Sequence, residues 1–224
     1  MTYQVIASPR TGSSILNQYA LHDNDGFGFY EFFLDYIDMD RNWHRRLFYS
    51  YSIEEKLEFL EYYKSVDIHF SLKFFPSQVL FKRPDLEQRF IKYFNGYKNL
   101  TIERDPWESF LSYSYQSHIN WETSHNCKNI EVIDLNEYKI NLQLIPEYVK
   151  IYKVNRDFTF KIDIDKTFKY KEITIDSLQN FFNTDFDPGS RHMNLDYIAK
   201  AINIKEAREM FDYEMHGARN WNNN

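Results

Sequence analysis

Two stretches of this 224-residue chain carry the residue types that hold anions. The first is QVIASPRTGSSIL, Gln4 to Leu16: an apolar run, then Pro9, Arg10, Thr11, Gly12, Ser13 and Ser14, then a stretch patterned as a helix. A chain that turns sharply out of a buried strand exposes the first amides of the next helix. Those amides lack intrahelical partners, and the helix dipole adds positive potential. An anion can sit on them. Gly12 lets the backbone approach closely. Thr11, Ser13 and Ser14 add hydroxyl donors, and Arg10 adds a guanidinium fork suited to phosphate or sulfate. Against the usual G-x-x-x-x-G-K-[ST] loop, Ser8 stands at the first glycine and Ser13 at the lysine. Without that lysine, and with no evident acidic Mg²⁺ partner after a strand, triphosphate hydrolysis is poorly supported. The plain alternative is a polar turn with a serine cap and no ligand.

The second stretch is NLTIERDPWESFLSYSYQ, a strand that ends at Glu103-Arg104-Asp105-Pro106 and turns into a helix, with Ser112 eight residues after Arg104. A strand-end Arg and a hydroxyl on the second turn of the following helix can face the same sheet edge. In an open parallel sheet, ligands bind beyond the carboxyl ends of the strands. The two turns are therefore expected to open on one crevice, which suits a ligand carrying phosphates at both ends.

The elements that must position these turns follow from periodicity. Residues 3–7 are β-branched and apolar, too short for a helix, and read as a buried strand, with a helix from Ser13 to Leu21 after it. Aromatic-rich residues 26–37 read as entering a second helix. Residues 53–64 are an amphipathic helix, with Ile53, Leu57, Leu60 and Tyr63 at helical spacing. Further strands are expected near Ile68–Phe74, stopped by Pro76, and near Asn99–Glu103; helices start at Pro84 and Pro106. Residues 134–154 read as one long helix that Pro146 kinks or divides. A fourth strand and a short helix are expected in YKEITIDSLQNFF, and a last helix in NIKEAREMFDYEMH. FTFKIDID, within 152–171, alternates like a hairpin strand lying partly outside the sheet. Strands alternating with helices argue for a parallel sheet covered on both faces.

Together, SPRTGSS after the first strand and ERDPWESFLSYSY after a later one resemble the sulfotransferase family, whose members use 3′-phosphoadenosine-5′-phosphosulfate as sulfuryl donor. The resemblance implies a P-loop-type three-layer α/β/α domain with a central parallel sheet, a single domain over residues 1–224. In that family a P-[RK]-[ST]-G-[ST]-[ST] loop holds the 5′-phosphosulfate and an R-[DN]-P-…-S stretch holds the 3′-phosphate. Carried over, Arg10, Thr11, Gly12, Ser13 and Ser14 take the first role, and Arg104 and Ser112 the second. The missing loop lysine then has a reason. A sulfuryl group carries less negative charge than a terminal phosphoryl group, so amides, hydroxyls and one Arg can neutralise it without a metal ion.

An attacking hydroxyl must also lose its proton, which calls for a base. Glu31, in GFGFYEFF, is the candidate, because desolvation among aromatics raises a carboxylate's pKa. Several bacterial carbohydrate sulfotransferases look similar there. The alternative is a glutamate snorkelling from an aromatic face. Lys73, in SLKFFPSQ, is similar to the lysine of the K-x-H-x-P stretch of cytosolic members, where it positions the transferring group; here no His follows, which shifts the base role to Glu31. Lys73 as a plain surface lysine stays open, and His69 reads as structural. Arg219 and Trp221 loosely match a segment that covers the nucleotide in cytosolic members, although a frayed terminus fits them better. His118, His125 and Cys127 fit no common zinc spacing.

The implied reaction is transfer of a sulfuryl group to a hydroxyl of a small molecule or carbohydrate. Its rivals are a lysine-less P-loop kinase and a non-catalytic nucleotide-binding relative. A net charge of −6 argues against a nucleic-acid partner. One cysteine permits no internal disulfide, and neither a leader nor a membrane span is read, so a cytoplasmic protein is expected.

Overall fold

The computed structural model describes residues 3–23, 28–30, 32–33, 50–68, 70–118, 138–188 and 201–217. The chain divides into two compact units: Met1–Glu103 with Val154–Pro188, and Arg104–Lys153 with Gly189–Asn224.

The first unit is an α/β layer structure. Its strands are β1 (Tyr3–Ile6), β2 (Gly28–Tyr30), β3 (Ser71–Phe74), β4 (Lys98–Glu103) and β5 (Lys166–Lys169). They form one five-stranded sheet in the order β2-β3-β1-β4-β5, with every pairing parallel. A sheet of this kind must be covered on both faces. One face, carrying Tyr3, Val5, Leu100, Ile102 and Phe168, packs on α1 (Ser13–Asp23) and on α7 (Ile175–Phe182), through Leu16, Tyr19, Leu178 and Phe182. The other face, carrying Ile6, Leu72 and Phe74, packs on α2 (Ile53–Ser65), on α4 (Glu87–Phe94), and on Phe158 in the last turn of α6 (Leu144–Thr159). Three layers result.

Local chemistry fixes the element ends. Ser52 caps α2 through a reciprocal box in which its hydroxyl accepts the Glu55 amide and the Glu55 carboxylate accepts the Ser52 amide. The short α3 (Pro76–Leu80) starts directly after β3, and the Asn155 side chain accepts the Ser77 amide at 2.7 Å. Pro84–Leu86 forms a 3₁₀ turn leading into α4.

Four expectations need correction. Gly28–Tyr30 is a strand, not a helix; a Cβ on Gly28 would collide with the Leu21 side chain and the Ser71 carbonyl, so only glycine lets β2 lie this close to α1. The expected 134–154 helix begins at Leu144, and Pro146 sits in its first turn, where no amide donor is required. FTFKIDID is not a hairpin strand. It holds the end of α6, with Phe158 buried and Phe160 79% exposed, and a turn into β5, which pairs in parallel with β4. The strand expected inside YKEITID lies upstream at Lys166–Lys169, followed by a 3₁₀ turn at Tyr170–Glu172.

The second unit contains α5 (Pro106–His118), the first turns of α6, and α8 (Ile204–His216) around a core of Phe110, Leu111, Tyr138, Ile145, Tyr148 and Phe211. Asn203 clamps Ile140 through both ends of its amide. Among the described residues, no helix is long and apolar enough to cross a membrane.

Candidate functional site

The chain leaves β1 through a turn whose backbone is unusual. Arg10 has φ 64° and Gly12 has φ 90°, both in the left-handed region. The Arg10 conformation is one that a non-glycine residue holds only when its surroundings over-determine it. Part of that determination is visible. Thr11 Oγ1 donates to the Ser8 carbonyl at 2.8 Å, and the Ile15 amide donates to the Gly12 carbonyl at 3.2 Å, closing the turn as α1 begins. Ser13 is buried at the first helical position, whereas Ser14 is exposed beside it. The first amides of α1 thus follow a locked turn, with the positive end of an eleven-residue helix behind them.

Gly12 is demanded twice over. Its φ is unfavourable for any L side chain, and a Cβ there would lie 2.8 Å from the Tyr170 ring. Tyr170 enters the first unit just past β5, so an aromatic wall stands over the glycine from a strand more than 150 residues later in sequence.

Lys73 is not a surface lysine. It is 3% exposed, and its Nζ donates to Ser14 Oγ at 3.3 Å while lying 4.7 Å from the Phe75 ring centroid. Lysines are rarely this buried without partners. β3 is the hydrogen-bonded neighbour of β1, and Val5 pairs with Lys73 across that register. The sheet therefore delivers to the first turn the lysine that the turn's own sequence lacks.

Two further features of this unit escaped sequence reading. Tyr170 is one. Asn17 is the other: it is fully buried one turn below Ser13, with neither end of its amide hydrogen-bonded among the described residues. A polar residue inside the buried stripe of Leu16, Tyr19 and Ala20 was the available signal for it; Tyr170 had none.

The second turn, which opens the second unit, is built differently. Asp105 Oδ1 accepts the Glu108 amide at 3.0 Å, and Pro106 takes the first position of α5, an ordinary capped start. The Arg104 side chain is only 4% exposed, with its Nε 3.9 Å from Glu108 Oε2. Ser112 is buried as well. Ser109 is fully buried on the same helix, and its hydroxyl has no hydrogen-bond partner among the described residues.

The described residues do not include Glu31, His69, His125, Cys127, Arg219 or Trp221, nor the side chain of His118. Glu31 directly follows β2, and the next two residues, Phe32 and Phe33, are buried in the aromatic core. No group of three or more metal-ligating side chains occurs among the described residues.

No family model matches the chain, and neither a curated protein nor a solved structure matches it.

Proposed function

We propose that the chain is a P-loop-type sulfotransferase, moving a sulfuryl group from 3′-phosphoadenosine-5′-phosphosulfate to a hydroxyl of a small molecule or carbohydrate. The observation that carries this reading is the buried Lys73 ammonium, 3.3 Å from the hydroxyl of Ser14 at the start of α1. A glycine turn, helix-terminal amides, exposed Ser14 and a lysine from the next strand make a preorganised anion site at the carboxyl edge of a parallel sheet. Its loop lacks the lysine that grips a triphosphate.

In this reading Arg10, Gly12, Ser13 and Ser14 hold the 5′-phosphosulfate. Thr11 mainly holds the turn itself, since its hydroxyl donates to Ser8. Arg104 and Ser112 hold the 3′-phosphate. The acceptor oxygen attacks sulfur, the bond from sulfur to the bridging oxygen breaks, and 3′-phosphoadenosine-5′-phosphate leaves. The acceptor's proton passes to the Glu31 carboxylate. Lys73 stabilises charge growing on the bridging oxygen. β1 and β4 are parallel neighbours whose onward connections run toward opposite edges of the sheet, the arrangement at which nucleotides bind in such folds.

Calorimetric titration with 3′-phosphoadenosine-5′-phosphate in the presence of a metal chelator tests the reading. Binding is expected, with adenosine 5′-phosphate at least ~30-fold weaker, and Arg104→Ala is expected to abolish that preference while sparing the weaker ligand. Equal affinity for the two nucleotides removes the 3′-phosphate role of Arg104. Binding only of a Mg²⁺–nucleoside triphosphate replaces the sulfotransferase with a kinase.

A further inference from the structure

We infer that Glu108 is a resident counter-anion of Arg104, held where it competes with an incoming phosphate and so sets how tightly the second turn grips its ligand. The inference rests on the reading of Arg104 as a phosphate-holding residue.

A guanidinium as buried as that of Arg104 carries a desolvation penalty that an opposite charge must offset. The Glu108 carboxylate stands 3.9 Å from its Nε, close enough for attraction and too far for a hydrogen bond. Its place is fixed by the backbone: the Asp105 cap holds the Glu108 amide, which puts residue 108 one turn along α5 from Arg104. The Glu108 side chain is 23% exposed and so retains a route to water, unlike the guanidinium it faces.

Further hydroxyl donors lie on the same helix. The Ser109 hydroxyl is fully buried and lacks a hydrogen-bond partner among the described residues, and Ser112, three residues on and also buried, shares its side of the helix. A buried hydroxyl left unsatisfied is costly unless an acceptor arrives for its O–H. A phosphate monoester dianion has oxygens enough for both hydroxyls and the guanidinium. It also repels a carboxylate a few ångströms away. Glu108 therefore stabilises the empty turn and weakens the filled one. In a transferase that must release its nucleotide product, this favours turnover over retention.

Glu108→Gln keeps the shape and removes the charge. It is expected to tighten binding of 3′-phosphoadenosine-5′-phosphate by roughly tenfold, and to leave adenosine 5′-phosphate, which has no 3′-phosphate, unchanged. The ligand-free variant should melt earlier than the parent, because a buried cation has lost a nearby opposite charge, and saturating 3′-phosphoadenosine-5′-phosphate should close that gap. Glu108→Asp, which draws the carboxylate back by one methylene, provides a second, intermediate gain should the glutamine variant fold poorly. Unchanged or weaker binding in both variants overturns the inference and makes Glu108 a brace that orients Arg104. If the parent protein does not distinguish the two nucleotides, the functional reading fails first, and the role given to Glu108 falls with it.

Discussion

The turn after β1 and the turn after β4 follow neighbouring parallel strands, yet they are built by opposite means. The first relies on backbone shape: two residues in the left-handed region, a hydroxyl tied back to Ser8, and a charge brought in from β3. The second keeps an ordinary capped helix start and relies on a side chain of its own, the buried Arg104, balanced by Glu108. The first should fail when a Cβ is added. The second should weaken when the charge of Arg104 is removed and tighten when that of Glu108 is.

The largest effect expected from this contrast is at Gly12. In Gly12→Ala the new Cβ meets the Tyr170 ring, and alanine must hold a positive φ. Each problem costs on the order of 1–2 kcal/mol. Together they should lower the melting temperature by roughly 5–10 °C and weaken nucleotide binding by about a hundredfold. Combining it with Tyr170→Ala separates the two causes, because removing the ring relieves the collision and leaves the dihedral problem. Thermal melts of the four proteins in that cycle should show a favourable coupling of at least ~1 kcal/mol. Additive losses would mean that Tyr170 has no part in shaping the turn.

The contrast also explains what was legible in the sequence. Turn chemistry is local, so Pro9 to Ser14 and Asp105-Pro106 announced themselves, and the parallel sheet followed from strands alternating with helices. Distant pairing is not local. Tyr170 reaches Gly12 only through the placing of β5 beside β4, and the burial of Lys73 depends on β3 lying against β1. β2 was misread because GFGFYEFF is aromatic on every phase, so it carries neither a period of two nor one of 3.6. α6 was misplaced because an apolar stretch does not mark where a helix starts, whereas the turn at Asn141–Gln143, with the Gln143 amide bonded to Asn141 Oδ1, does. Nothing in the sequence sets Glu108 or Ser109 apart, because the one is distinguished by its place beside the Arg104 guanidinium and the other by complete burial.

A smaller but more chemical effect is expected at Lys73. Lys73→Met fills nearly the same space and removes the charge that the first turn borrows. Turnover should fall about a hundredfold, the usual loss for one preorganised donor to a developing charge. The affinity for 3′-phosphoadenosine-5′-phosphate should fall far less, since the product lacks the transferring group. Single-turnover kinetics alongside calorimetry make the comparison. Equal losses in both would assign Lys73 to nucleotide binding, and no loss in either would leave it as a buried structural lysine.

The finest test lies within the first turn. Thr11 and Ser14 are both hydroxyl residues of one motif, but the Thr11 hydroxyl donates back to the Ser8 carbonyl, whereas Ser14 is exposed and accepts from Lys73. Thr11→Val should therefore lower stability by about 1 kcal/mol, through the lost internal hydrogen bond, with nucleotide affinity following only as far as the turn loosens. Ser14→Ala should lower stability less than Thr11→Val does, since the bond it loses from Lys73 is long and the residue is exposed, and weaken nucleotide binding roughly five- to tenfold, the loss of one donor to a charged ligand. If the two variants exchange these signatures, the geometry of the turn has been assigned to the wrong hydroxyl. Residue identity within the motif would then be a poorer guide to role than the hydrogen bonds that each side chain already makes.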